Sequence, residues 1–143
     1  MRVALIDSSV PVAWVLSDEA AHPAAMRLMA SIARGEIEPV VGAHLRFEVR
    51  DGLVRAARRG RIDWEDLPVW LAAIDRLGAP TVALSGSDAP VLAIAQAHQL
   101  GWGDAQWVEI ASRLDLPLVT ADTRLLRSVP DVVALIVDVR QAA

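Results

Sequence analysis

The 143-residue chain contains no cysteine and no lysine, and no uninterrupted apolar stretch approaches the roughly 20 residues needed to cross a bilayer. The missing thiols exclude disulfides, thiolate zinc sites and cysteine nucleophiles, and are compatible with a reducing compartment. No Gly-x-Gly-x-x-Gly or Walker-type loop is present, which argues against a bound nucleotide cofactor. The first apolar run, Val3 to Ile6, meets Asp7 after four residues, too soon for a signal-peptide core. There is also no excess of positive charge: 18 acids face 14 bases, all of them arginine, for a net charge of −4. A protein that grips nucleic acid by bulk charge alone is excluded. A nuclease is not, because carboxylates attract divalent metal and a few arginines can line one groove. Arginine without lysine reads as the mark of a GC-rich genome.

What is present is a core. Hydrophobic residues make up 54% and charged residues 22%, so global disorder is excluded and the length suits one domain spanning residues 1–143. The expectation is a cytoplasmic protein with no membrane segment.

Short apolar runs alternate with longer helical stretches. Strands are predicted at Val3–Ile6, Pro39–Gly42, Thr81–Leu84, Leu116–Thr120 and Val132–Val139. Helices are predicted at Glu19–Arg34, His44–Arg59, Trp64–Leu77, from after Ser87 through Leu100 with Ser87 or Ser85 as cap, and Asp104–Leu114, with Gly35, Gly60 and Gly78 as stops. Strands separated by helices predict an α/β fold with a mainly parallel sheet.

In open parallel sheets, ligands bind outside the carboxyl ends of the strands. Asp7 ends the first predicted strand, and Asp122 follows the fourth by two residues. Glu48 and Asp104 lie in the first turns of their helices. Four carboxylates converging on one pocket repel one another unless a cation joins them. Such a set suits Mg²⁺ or Mn²⁺, which prefer oxygen ligands and can lower the pKa of a bound water. Each acid also has a structural reading: Asp104 as a helix N-cap, Asp122 as the cap of a short helix over Thr123–Arg127, and Glu48 as the partner of a helix arginine. Asp7 resists such a reading most, because a charge directly after a buried strand is costly unless paired or liganding. On the Glu48 helix, Leu45, Val49, Gly52, Leu53 and Ala56 share one stripe. Glu48 borders it, with Arg55 and Arg59 near its own azimuth as candidates for a phosphate track. Phe47 and Val54 lie on the other flank, either as a second buried face or as an interface with another chain.

Four motifs in order carry a family resemblance: Asp7-Ser8-Ser9-Val10, Leu45-Arg46-Phe47-Glu48-Val49 with Gly60-Arg61-Ile62 beyond it, Gly103-Asp104-Ala105, and Val119-Thr120-Ala121-Asp122. In this order and spacing the chain resembles the PIN-domain ribonucleases, and most closely the VapC-type toxins of bacterial toxin–antitoxin pairs. The resemblance implies a PIN-like three-layer sandwich with a central five-stranded, mainly parallel sheet flanked by helices. It implies that Asp7, Glu48, Asp104 and Asp122 hold Mg²⁺ or Mn²⁺, with Ser8 or Ser9 and Thr120 as hydroxyl support. It further implies hydrolysis of RNA phosphodiester bonds, a homodimer and a cognate VapB-type antitoxin that reaches into the pocket. Three positions depart from the pattern: Asp51 where Asn is frequent, Gly103 where an aromatic often precedes the third acid (Trp102 is adjacent), and Glu109 where a small or apolar residue is usual.

His22, His44 and His98 show no ligand spacing, and none is assigned to catalysis. Five tryptophans are present, more suited to packing than to RNA stacking, with Trp102 the best stacking candidate. Two other readings stand beside the nuclease. One is a phosphohydrolase or dehalogenase-like enzyme with Asp7 as nucleophile, whose usual second Asp is Ser9 here. The other is a non-catalytic protein-binding module in which the acids are caps.

Overall fold

The computed structural model describes residues 2–129 and 136–142. Five strands, β1 (Arg2–Ile6), β2 (Ile37–Gly42), β3 (Thr81–Val82), β4 (Leu118–Thr120) and β5 (Ile136–Asp138), form one sheet in the order β3-β2-β1-β4-β5. Every pairing is parallel. The helices are α1 (Ser9–Val15), α2 (His22–Ala33), α3 (Leu45–Arg58), α4 (Leu67–Asp75, preceded by a 3₁₀ turn at Trp64–Asp66), α5 (Asp88–His98), α6 (Trp102–Leu114), α7 (Thr123–Ser128) and α8 (Val139–Ala142). The α/β fold with a central five-stranded parallel sheet is as the sequence predicts. Among the described residues, no helix is long and apolar enough to cross a membrane.

Because β1 is central, its residues Ala4, Leu5 and Ile6 are buried although they point to opposite faces, and that stretch reads as continuously apolar. The pleat then sorts them. Ala4 and Ile6 pack with Val10 and Ala13 of α1, with α2 and with α8. Leu5 points the other way, into a second cluster with Trp107, Val108 and Ile110 of α6 and with Leu118, Leu125 and Ile136. A third cluster lies among helices: Val15, Val49, Leu53, Ala56, Leu67 and Ile74 join α1, α3 and α4.

Several boundaries differ from expectation, each for a local reason. Helix α1 carries no sequence signal, because its residues are apolar on all sides and leave no polar face to reveal a helical period. Pro11 is tolerated there because it falls in the first turn, where its missing N–H has no partner to lose. Pro39 lies inside β2 on the side facing β3, below the point at Val41 where that pairing begins, so no ladder bond is lost. Helix α6 starts at Trp102, two residues before the expected start, and so takes in Gly103. Helices α2 and α3 stop where predicted, at Gly35 and Gly60, whose φ values of +73° and +74° suit a residue without Cβ. Strand β3 is only two residues long, and β4 begins after Pro117. Of the predicted fifth strand, residues 132–135 lie outside the described residues, and Val139 opens α8 instead.

Candidate active site at the carboxyl ends of β1 and β4

From β1 the chain winds outward through β2 and β3, then crosses back to lay β4 on the other side of β1. The connections leaving β1 and β4 therefore diverge and open a crevice at their carboxyl ends. Asp7 and Asp122 arrive there on the two strand ends, Glu48 on the first turn of α3 and Asp104 on the first turn of α6.

Asp7 is only 3% exposed. Its Oδ1 accepts the backbone N–H of Ser9 at 3.0 Å and also the Ser9 hydroxyl. Ser9 Oγ lies 3.2 Å from Thr120 Oγ1 and accepts the Ala121 N–H at 2.8 Å, while Thr120 Oγ1 accepts the Asp122 N–H at 3.0 Å. The two hydroxyls thus stitch the β1 end to the β4 end. Burial pushes the Asp7 carboxyl up from 3.8 to about 7, against the downward pull of Ser9 and Thr120 and with a smaller upward push from Asp104.

Glu48 is held by different donors. Its Oε1 accepts the Trp107 indole N–H at 2.7 Å and the Ser8 hydroxyl at 3.0 Å. His44, one turn earlier on α3, brings Nε2 within 3.7 Å of the same oxygen and within 3.3 Å of the Gly103 carbonyl. Its ring lies against that of Trp107, with centroids 4.2 Å apart. Burial lowers the His44 pKa, more strongly than Glu48 and the Gly103 carbonyl raise it. Asp104 is raised by burial first and then by the charges of Asp122 and Glu48, with Arg124 opposing. Asp122 Oδ1 accepts the N–H groups of Arg124 at 2.9 Å and Leu125 at 3.4 Å, so it does cap α7. Asp104 is not an N-cap: that position belongs to Gly101.

The remaining candidates fall outside this knot. Arg55 on α3 and Arg59 at its C-cap are exposed, roughly 10 and 16 Å along the axis from Glu48 at 1.5 Å per residue. Asp51, one turn from Glu48, turns to Arg55 at 3.6 Å. Trp102 is 47% exposed beside Gly103. Phe47 is 73% and Val54 37% exposed, so they form no second buried face within the described residues. Glu109 is 6% exposed and bonds Arg113 Nε at 2.9 Å, while Arg113 also donates to the Ala83 carbonyl at 2.7 Å. This pair ties α6 to the segment after β3 and leaves Glu109 no part in the acidic crevice. Glu109→Gln should accordingly lower stability by about 1–2 kcal/mol in urea titration while leaving catalysis unaltered.

Sequence reasoning missed two participants. By type Trp107 reads as a packing residue, and it does pack, but its N–H also reaches Glu48. His44 has no histidine at ligand spacing and no proposed acid next to it in sequence, yet its i, i+4 relation to Glu48 is legible.

Among the described residues, no three acids or histidines already stand close enough to share one ion. The donor set nonetheless fits a hard divalent cation: carboxylate and hydroxyl oxygens, no sulfur, and two acids, Asp7 and Asp104, pushed toward protonation by burial and by neighbouring carboxylates. A separate cavity of about 390 Å³, lined by Met29, Ile32, Val41, Ile74 and Leu77 among others, includes none of the four acids.

The family model described as the PIN domain matches residues 4–131. Among solved structures, the chain is similar to the crystal structure of PAE2754 from Pyrobaculum aerophilum, at a TM-score of 0.72 and 25% identity, over 97% of this chain and 92% of that one. No match to a curated protein was found. PIN domains in general imply nuclease activity, typically metal-dependent. From within β1 to beyond α7 the sequence follows that pattern, and the chain belongs to the PIN-domain family.

Proposed function

We propose that this chain is a single-domain, metal-dependent endoribonuclease and the toxin of a VapBC-type toxin–antitoxin pair. What supports the nuclease reading is that Asp7, near enough to feel the charge of Asp104, and Asp104, near enough to feel those of Asp122 and Glu48, are both shifted toward the protonated form at the carboxyl ends of the strands. Asp7, Asp104 and Asp122 would hold Mg²⁺ or Mn²⁺, and Glu48 would serve as a further ligand or as the group orienting the attacking water. When bound, the cation supplies a low-pKa water and stabilises charge on the phosphate. Ser9 and Thr120 keep the Asp7 and Asp122 loops in register, and Ser8 keeps Glu48 beside them. Arg55, Arg59 and Trp102 are candidates for binding the RNA chain.

The toxin assignment and the antitoxin partner rest on the sequence resemblance, and the cytoplasmic setting on the composition. Exposed Phe47 and Val54 on one flank of α3 favour a homodimer. The aspartyl-nucleophile alternative has nothing in its favour here, since Asp7 is buried and bonded to Ser9 where a second Asp would be needed.

The test is cleavage of total cellular RNA by purified protein free of antitoxin. Discrete fragments are expected with Mg²⁺ or Mn²⁺ and none with EDTA. Equal cleavage in EDTA would overturn the metal-dependent mechanism, and intact RNA with a protein shown to bind Mn²⁺ would overturn the general ribonuclease.

A further inference from the structure

The two oxygens of Glu48 are not equivalent. Oε1 takes both donors, the Trp107 indole N–H at 2.7 Å and the Ser8 hydroxyl at 3.0 Å. Oε2 has no hydrogen-bond partner among the described residues, and it rests against Gly103, where a Cβ would collide with it. The donors come from opposite sides of the crevice. Ser8 directly follows Asp7, and Trp107 stands three residues after Asp104 on the same helix, so one carboxylate oxygen ties α3 both to the β1 end and to α6. Trp107 is 1% exposed and cannot turn away, and an indole N–H bonded to a carboxylate at this distance is a strong, directional contact.

We propose that Trp107 is a positioning residue that, together with Ser8, fixes Glu48 through Oε1 and reserves Oε2 for the cation or the water it activates. Gly103 is the residue that gives Oε2 its room. This rests on the reading of Glu48 as part of the cation-binding set. A purely structural tryptophan would use Glu48 only to satisfy its N–H and would be indifferent to metal.

The experiment uses the full chain and Mg²⁺ alone as probe. The five tryptophans give five indole N–H resonances in a ¹H–¹⁵N spectrum, and the one missing in Trp107→Phe is that of Trp107. That resonance is expected to move in Ser8→Ala without metal and to move on adding Mg²⁺ to the wild type. In RNA cleavage, Trp107→Phe should lower kcat by about 10–100-fold and raise the Mg²⁺ needed for half-maximal rate, with KM for RNA changed less than about threefold. Gly103→Ala should lose as much, and Gly101→Ala, where an added Cβ meets nothing within 4 Å, should stay within about twofold of wild type.

An unmoved Trp107 resonance, or Gly103→Ala with wild-type kinetics, overturns the proposal. Should Trp107→Phe fail to fold, single substitutions of Trp14, Trp64, Trp70 and Trp102 identify the Trp107 resonance by elimination, and the wild-type titration and the glycine pair still decide. If the wild type cuts no RNA, the ribonuclease reading falls, and the response of the Trp107 resonance to Mg²⁺ decides the positioning role by itself.

Discussion

Asp7→Asn should fold normally and cut RNA at least about 10³-fold more slowly than wild type, the scale seen when one charged group is removed from a working centre. The substitution is close to isosteric. An asparagine Oδ1 can still accept the Ser9 N–H, which Asp7 accepts at 3.0 Å, and the Ser9 bonds to Ala121 and Thr120 remain. What goes is the negative charge at the junction of the two strand ends, with no steric disturbance to take the blame. Far-UV circular dichroism should overlay that of wild type. Cleavage within a few-fold of wild type would remove Asp7 from the proposed cation-binding set.

The same substitution should stabilise the metal-free protein, increasingly so as pH rises. The folded-state pKa of Asp7, about 7, lies above the ordinary 3.8. Between those values the folded chain holds a proton that the unfolded chain has released, so stability falls as pH rises through this window. The penalty is absent below about pH 4 and complete above about pH 7. The full interval corresponds to roughly 4 kcal/mol, and the amide NH₂ of asparagine, itself in need of an acceptor, brings the expected gain to about 2–4 kcal/mol. Urea titrations in EDTA should show Asp7→Asn level with wild type or up to about 2 kcal/mol below it at pH 4, and well above it at pH 8. Adding Mn²⁺ at pH 8 should then close the gap from the wild-type side only, because the cation stabilises only a chain that binds it. A gap of equal size at both pH values would mean that Asp7 is not the buried acid described above.

How much of this was legible in the sequence depends on range. The acids Asp7 and Asp122 could be placed because a parallel sheet puts strand ends and ligand at one edge, and that inference needs only two short apolar runs. The number of strands and their mainly parallel pairing followed from the family pattern, whereas the order β3-β2-β1-β4-β5 came only with the structure. Helix α1 stayed hidden, since a seven-residue apolar segment buried on most sides has no period to read. The role of Asp104 was ambiguous because it turned on whether Gly103 breaks the helix or lies inside it. A glycine is a breaker by propensity, yet here the space beside it is taken by Glu48, 55 positions earlier in the chain, and only tertiary structure shows that. Trp107 illustrates the same limit. Its burial was predictable from its type, but the direction of one N–H was not.

The sheet order also governs when the crevice can exist. β1 pairs with β4 through Leu5 and Leu118, a contact that must close a loop of more than 110 residues. Local helices and the nearer β1–β2 pair can form early, whereas a pairing of such long range waits on the slow entropic search of loop closure. During synthesis the amino-terminal half can settle first. Asp7 and Ser9 then stand at an open strand edge, with neither Thr120 nor Asp122 yet made. A chain emerging from the ribosome amid a great excess of RNA therefore lacks the fourth acid until β4 has been translated and has found its place beside β1, so that vectorial synthesis itself delays the assembly of the centre.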